Sequence, residues 1–372
     1  MDKRLQQAKR WVVKIGSALL TDNGRGLNYD GLHGWAEQIA QLNQQNREVV
    51  LVSSGAVAEG IARLGITQRP HALHDLQAAA AVGQTGLIQA YQTCFQTHGL
   101  HSAQILLTHA DLSNRQRYLN ARSTLRSLLN LHTIPIVNEN DTVATDEIRF
   151  GDNDTLAALV ANLIDADVLL ILTDQSGLYD ADPRKNKDAQ FIEQAMAHDK
   201  ALLEYAGDAA STLSRGGMRT KIEAGRRAAR SGTHTIIANG HEPQGISRIA
   251  AGEHLGTRLM ASQPALTARK QWIANEPNPK GLLHLDAGAE EAISDKGNSL
   301  LAVGITRVEG TFSRGDLVRC LNQSGEAIHQ GICNYSAEEV ALIAGKNSDI
   351  LEETLGYINE TAVIHRDNLA PL

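Results

Sequence analysis

From Trp11 to about Asn239, short runs of β-favouring apolar residues alternate with longer amphipathic stretches. The runs Trp11–Ile15, Glu48–Ser53, Ser102–Leu107, Ile134–Val137, Val168–Thr173 and Thr233–Ala238 predict strands. Between them, Tyr29–Gln45, Val57–Leu64, Leu76–Thr97, Arg115–Leu131, Asp154–Ile164 and Gly217–Ala229 carry helical spacing. The apolar residues of these runs are contiguous rather than alternating with polar ones, as expected of strands covered on both faces. Strand–helix alternation calls for parallel crossovers. The expectation is a three-layer α/β/α sandwich around a mainly parallel sheet.

The rhythm breaks near residues 260–280, where Pro264, Pro277 and Pro279 accompany Arg269-Lys270. This stretch reads as a linker. Beyond it the runs are short and β-like: Gly281–Leu285, Ser299–Val308, Asp316–Leu321 and Ala327–Tyr335, with turns at Arg314-Gly315-Asp316 and Gln323-Ser324-Gly325. The expected division is an α/β domain over 1–262, a linker over 263–279 and a small β-rich domain over 280–368. A length of 372 residues fits two cores better than one.

Composition narrows the class. The chain is 42% hydrophobic and 21% charged, ordinary for a soluble globular protein, and no apolar run approaches a membrane span. The first ten residues are polar and lack a signal core, which predicts a cytoplasmic protein. Cys94, Cys320 and Cys333 form no disulfide framework or paired zinc spacing. The net charge of −7 lies wholly in residues 278–372, with 7 Lys+Arg against 14 Asp+Glu. That acidity argues against RNA as a partner of the C-terminal domain.

The candidate chemistry gathers at strand ends, where open parallel sheets bind ligands. Lys14 closes the first strand ahead of Gly16, as would suit a phosphate; a strand-end lysine beside an ordinary turn glycine reads the same. Ser53-Ser54-Gly55-Ala56 closes the second and suits a carboxylate, a phosphate or a tight turn into a helix. Asp141, Asp146, Asp152 and Asp154, with Asn153, crowd a segment that opens a helix. Such crowding calls for a cation, an ammonium group or lysines in compensation, or else caps a helix on a solvated loop. Thr173-Asp174 follows the most apolar strand, and Gly216-Gly217 precedes Lys221 by one helical turn. No Gly-x-x-x-x-Gly-Lys-Ser/Thr loop and no Gly-x-Gly-x-x-Gly after the first strand occur, which argues against P-loop enzymes, dinucleotide dehydrogenases and protein kinases. Gly83 and Gly86 suit close helix packing rather than binding.

Seven motifs in order, Lys14-Ile15-Gly16-Ser17, Ser53-Ser54-Gly55-Ala56, Ala80-Ala81-Val82-Gly83-Gln84, Asn138-Glu139-Asn140-Asp141, Gly151-Asp152-Asn153-Asp154, Thr173-Asp174 with Ser176-Gly177-Leu178-Tyr179, and Gly216-Gly217-Met218 with Thr220-Lys221, resemble the glutamate 5-kinase family of the amino acid kinase superfamily. The C-terminal segment, with Phe312-Ser313-Arg314-Gly315, is similar to a PUA domain. The resemblance implies transfer of phosphate from ATP to the γ-carboxylate of L-glutamate, the committed step of proline synthesis, with feedback inhibition by proline. It implies catalytic roles for Lys14, Lys221 and Asp154, the last positioning the lysines, and glutamate binding by Ser54, Asp141 and Asn153. ATP would be bordered by Lys14, Thr173, Asp174, Arg215, Gly216, Gly217, Met218, Arg219, Thr220 and Lys221. Magnesium would arrive with the nucleotide and without direct protein ligands, and a dimer or tetramer would form through the kinase domain. The chain departs from the family pattern in two places: Ala18 replaces a serine, and Ser214-Arg215 replaces a Gly-Thr pair.

Overall fold

The computed structural model describes residues 3–21, 26–143, 153–181, 183, 185–205, 217–263, 265–358 and 360–372. The chain forms two compact units, Met1–Ala265 and Leu266–Leu372. No helix among the described residues is long and apolar enough to cross a membrane.

In the first unit the strands are β1 (Arg10–Ile15), β2 (Glu48–Val52), β3 (Ser102–Leu107), β4 (Ile134–Glu139), β5 (Val168–Thr173), the short pair β6 (Leu178–Tyr179) and β7 (Phe191–Ile192), β8 (Gln194–Met196), β9 (His234–Asn239) and β10 (Thr257–Met260). The main sheet runs β3-β4-β2-β1-β5-β9-β10-β8. Its pairs are parallel except β9 with β10. The expected α/β/α sandwich with a mainly parallel sheet is what forms. The strand expected from Thr233 begins at His234, and the one expected to stop at Val137 continues to Glu139. β10 and the short helix Gly245–Ala250 have no counterpart in the sequence-based expectation, since each is too brief to develop a period.

Alternation along β1 assigns its side chains to two separate cores. Trp11, Val13 and Ile15 join Trp35, Ile39, Leu87 and Tyr91 on one face of the sheet. Val12 faces the other core, with Leu156, Ala157 and Val160 of helix Asn153–Ile164 and Ala224 of helix Met218–Ala229. Side chains two apart on a strand share a face, so Lys14 lies on the face of Val12. The one charged side chain within β1 beyond Arg10 is therefore directed toward the two helices that carry Asp154 and Lys221.

Gly55 closes β2 with φ +91, a left-handed conformation that glycine adopts without a Cβ clash, and the chain enters helix Ala56–Arg63 directly. That helix crosses helix Leu73–Gln96 at backbone contact. A Cβ on Gly83 would stand 1.8 Å from the carbonyl oxygen of Ala56, and one on Gly86 would strike the Arg63 guanidinium. Packing, as expected for these glycines, sets the distance between the two helices.

The second unit holds β11 (Gly281–Leu285), β12 (Ile305–Gly310), β13 (Leu317–Leu321), β14 (Ala327–Ile332) and β15 (Leu369–Pro371) in the order β12-β11-β13-β14-β15. Cys320 and Cys333 lie in its core with Tyr335, and all three thiols of the chain are buried and unbridged. Within the stretch expected as a linker, residues Ala265–Asn275 form a helix. Its Ile273 packs with Leu317, Ile332 and Ala370, and the buried Gln330 amide donates to the carbonyls of Ile273, Ala274 and Glu276 at its C-terminal end. Helix formation there depends on this docking, which local sequence does not announce.

Replacing Gly83 by alanine is expected to force the two crossing helices apart and lower the stability of the first unit by about 1–3 kcal/mol. Thermal unfolding should show an earlier transition for Gly83→Ala; an unchanged transition would contradict the contact.

Candidate active site

The carboxyl ends of β1, β2, β4 and β5 face the first turns of helices Asn153–Ile164 and Met218–Ala229. A helix start presents unpaired backbone N–H groups and a partial positive charge. Asp154, in the first turn of its helix, is fully buried. Its Oδ1 lies 2.5 Å from Lys14 Nζ, and its Oδ2 lies 3.1 Å from Lys221 Nζ. Thr220 Oγ1 donates to the same Oδ2 at 2.7 Å. Lys14 and Lys221 are themselves about 95% buried. Burial alone would push the Asp154 carboxyl up, but Lys14 and then Lys221 outweigh it and hold the group at about 2. Two ammonium groups thus converge on one carboxylate, a centre suited to an incoming anion.

Lys221 stands in the first turn of its helix, where the dipole disfavours a cation; its ion pair with Asp154 offsets that. Gly217 caps this helix without a side-chain bond and its carbonyl accepts from the Thr220 amide at 3.2 Å, while a helix start of this kind favours an anion. Met218 and Thr220 flank them half-buried, whereas Arg219 is exposed and paired with Glu223 at 3.0 Å. Thr173 is buried at the end of β5 and donates to the exposed Asp174 at 3.1 Å. Arg215 and Gly216 lie outside the described residues, as do Asp146 and Asp152.

Beside the charged centre lies a neutral one. Asn153 Nδ2 donates to the Ser53 carbonyl, to Ser54 Oγ at 3.1 Å and to Asn138 Oδ1 at 2.9 Å. Ser53 Oγ is within 3.1 Å of the Tyr91 hydroxyl. Gly16 lies against β5, its amide bonded to the Leu172 carbonyl at 3.1 Å, so that N–H is not available to a phosphate. Asp141 lies in the turn after β4, half-buried. The structure therefore joins Lys14, Asp154, Lys221 and Thr220 in one cluster, and Ser54 with Asn153 in an adjoining one. Sequence reasoning had not singled out Asn138 or Gln84 individually, although both stood inside quoted motifs.

The amino acid kinase family model matches residues 9–239, and a PUA domain model matches 281–355. A glutamate 5-kinase of Thioalkalivibrio sulfidiphilus is 60% identical over 370 residues, covering 100% of this chain and 99% of that one. Those of Nitrosospira multiformis and Methylobacillus flagellatus are each 58% identical over at least 99% of both chains. The chain belongs to the glutamate 5-kinase family. Its first unit carries the amino acid kinase fold, and its second carries the β-rich PUA sheet. Among the described residues no group of three or more His, Cys, Asp or Glu side chains could hold a metal ion. In this member of the family the Asp154 oxygens are engaged by Lys14, Lys221 and Thr220, a donor set that fits a divalent ion arriving on phosphates rather than one held at that carboxylate.

A carboxyl held below its ordinary value contributes stability that is complete above the unfolded value of roughly 3.9 and lost as pH falls toward the folded one. Asp154, at about 2, should therefore make the protein lose stability across that acid window. Asp154→Asn leaves two buried ammonium groups unmatched and is expected to cost about 3–5 kcal/mol near neutral pH. Urea unfolding as a function of pH should show the variant missing the acid-window loss; parallel pH profiles for the two proteins would refute the assignment.

Proposed function

We propose that the chain catalyses ATP-dependent phosphorylation of the L-glutamate γ-carboxylate to L-glutamyl 5-phosphate, as the first step of proline synthesis. The observation that carries this reading is the meeting of Lys14 and Lys221 on Asp154 beside a helix start, next to an amide cluster suited to an amino acid. The names of the family relatives support the same substrate.

A γ-carboxylate has a reference pKa of about 4.3, so the acceptor is already ionised at neutral pH and needs no general base. The chain has instead to align two anions and offset the charge of the group in transit. Lys14 and Lys221 are assigned that task, with Asp154 holding the two Nζ atoms together and Thr220 holding Asp154. The helix start at Gly217–Thr220 and the edge at Thr173-Asp174 border ATP, together with Arg215, Gly216 and Lys221; Arg219 reaches the nucleotide only by leaving Glu223. Magnesium, bound to the nucleotide phosphates, offsets part of their charge. Ser54, Asp141 and Asn153 bind glutamate. Proline acts as a feedback inhibitor at or overlapping that site, and the chain assembles into a dimer or tetramer through its kinase domain.

The direct test is magnesium-dependent ADP formation with glutamate, acetylglutamate and carbamate in parallel, with hydroxamate trapping of the acyl phosphate. Activity with glutamate alone, reduced by millimolar proline, is expected; preference for either other acceptor would overturn the assignment. Lys14→Ala should lower kcat by about a hundredfold or more while changing the glutamate KM little, as for loss of a group acting chiefly in the transition state. An unchanged kcat would remove Lys14 from that role.

A further inference from the structure

The amide cluster beside the lysines has an orientation that can be worked out atom by atom. The Ser53 carbonyl can only accept, so the Asn153 atom facing it must be the nitrogen. The backbone N–H of Glu139 can only donate, so the Asn138 atom 3.0 Å from it must be Oδ1. That oxygen also accepts from Asn153 Nδ2 at 2.9 Å. Asn138 Nδ2 is then left to donate to Gln84 Oε1, at 2.7 Å. Two backbone groups, the Ser53 carbonyl at Asn153 and the Glu139 N–H at Asn138, thereby fix the sense of those two amides, and Asn138 in turn fixes that of Gln84. Such anchoring resolves the oxygen–nitrogen ambiguity that amide side chains otherwise carry.

Two consequences follow for the atoms left over. Asn153 has its nitrogen turned to three acceptors, so its Oδ1, an acceptor, is turned the other way. Gln84 presents its oxygen to Asn138, and its buried Nε2 has no hydrogen-bond partner among the described residues. A buried donor without a partner is costly and uncommon, and is retained where something else requires the geometry. Gln84 is itself held in place by the tight crossing of its helix at the neighbouring Gly83. Its helix is thus tied through Asn138 to Asn153.

We infer that Gln84 is a positioning residue for the substrate's amino group: by taking the Asn138 amide hydrogen it locks Asn153 with Oδ1 available to accept from that ammonium. This rests on the proposed glutamate kinase reading and adds a residue to it. Were Asn138 to lose its acceptor at Gln84, its buried Nδ2 would be left unsatisfied, and the amide would shift toward another acceptor, drawing Oδ1 away from Asn153. Asn153, then held by Ser53 and Ser54 alone, would present its Oδ1 to the substrate's ammonium less firmly.

The test compares glutamate with glutarate, which keeps both carboxylates and lacks the amino group. In Gln84→Met, which removes the acceptor at similar volume, the KM for glutamate should rise about tenfold, the scale of one hydrogen bond to a charged group, while the glutarate KM stays unchanged. The KM for ATP should also hold. Gln84→Glu keeps an acceptor for Asn138 Nδ2 and should retain the preference for glutamate over glutarate. A glutamate KM within twofold of wild type in Gln84→Met, an equal rise for both acids, or loss of the preference in Gln84→Glu overturns the inference. Absence of glutamate-dependent ADP formation in the wild-type chain would instead remove the functional reading beneath it.

Discussion

Asp154 carries two ammonium groups on one buried carboxylate, and the arrangement of the first unit follows from that interaction. Neither lysine is sustainable in so dry a position without an anion, and the carboxylate is not sustainable there without them. The three groups come from β1 and from the first turns of two helices, each with its own place in the packing. The interaction therefore links the centre of the sheet to one helical layer at the end of the strands where the chemistry is assembled. Loss of Asp154 exposes the desolvation cost of both lysines, whereas loss of one lysine leaves a matched pair.

Placement of Lys14 illustrates how a functional group can be a consequence of strand periodicity. Trp11, Val13 and Ile15 are committed to one core and Val12 to the other. A lysine at the position after Val13 is then compelled to share the face of Val12, among the helices bearing Asp154 and Lys221. Insertion of one residue ahead of it would send the ammonium into the opposite core. The hydrophobic pattern of β1 and the charge at its end thus specify one another.

Strand and helix spans and the clustering of polar residues at strand ends were legible because each is carried by a local period or a local run. The helix Ala265–Asn275 was not, since what holds it is Gln330, whose amide reaches it from over fifty residues later. The short β10 was missed for a related reason: four residues between neighbours give no period to read. Within the site, the residue types at 14, 154 and 221 suggested charge compensation, but the sharing of one carboxylate by two lysines is a statement about three dimensions. The amide chain was still less legible. Gln84, Asn138 and Asn153 are separated by 54 and 15 residues, and what matters is which end of each amide faces which neighbour. Composition carries no such information.

The two clusters differ in kind, and the difference suits the reaction proposed for them. An acyl-acceptor carboxylate is reactive because its charge is uncompensated; a lysine paired with it would stabilise the ground state as much as the transition state and leave the barrier where it was. Neutral amides such as Asn153 can orient an amino acid through its ammonium without quenching the distal carboxylate. The phosphoryl group makes the opposite demand, since negative charge on its equatorial oxygens persists through transfer and repels the incoming nucleophile. Ammonium groups belong there, and Asp154 keeps them from drifting toward the acceptor. Segregating amides from lysines over a few ångströms, with Asn153 and Asp154 adjacent in the chain and each serving a different cluster, lets one helix start meet both demands.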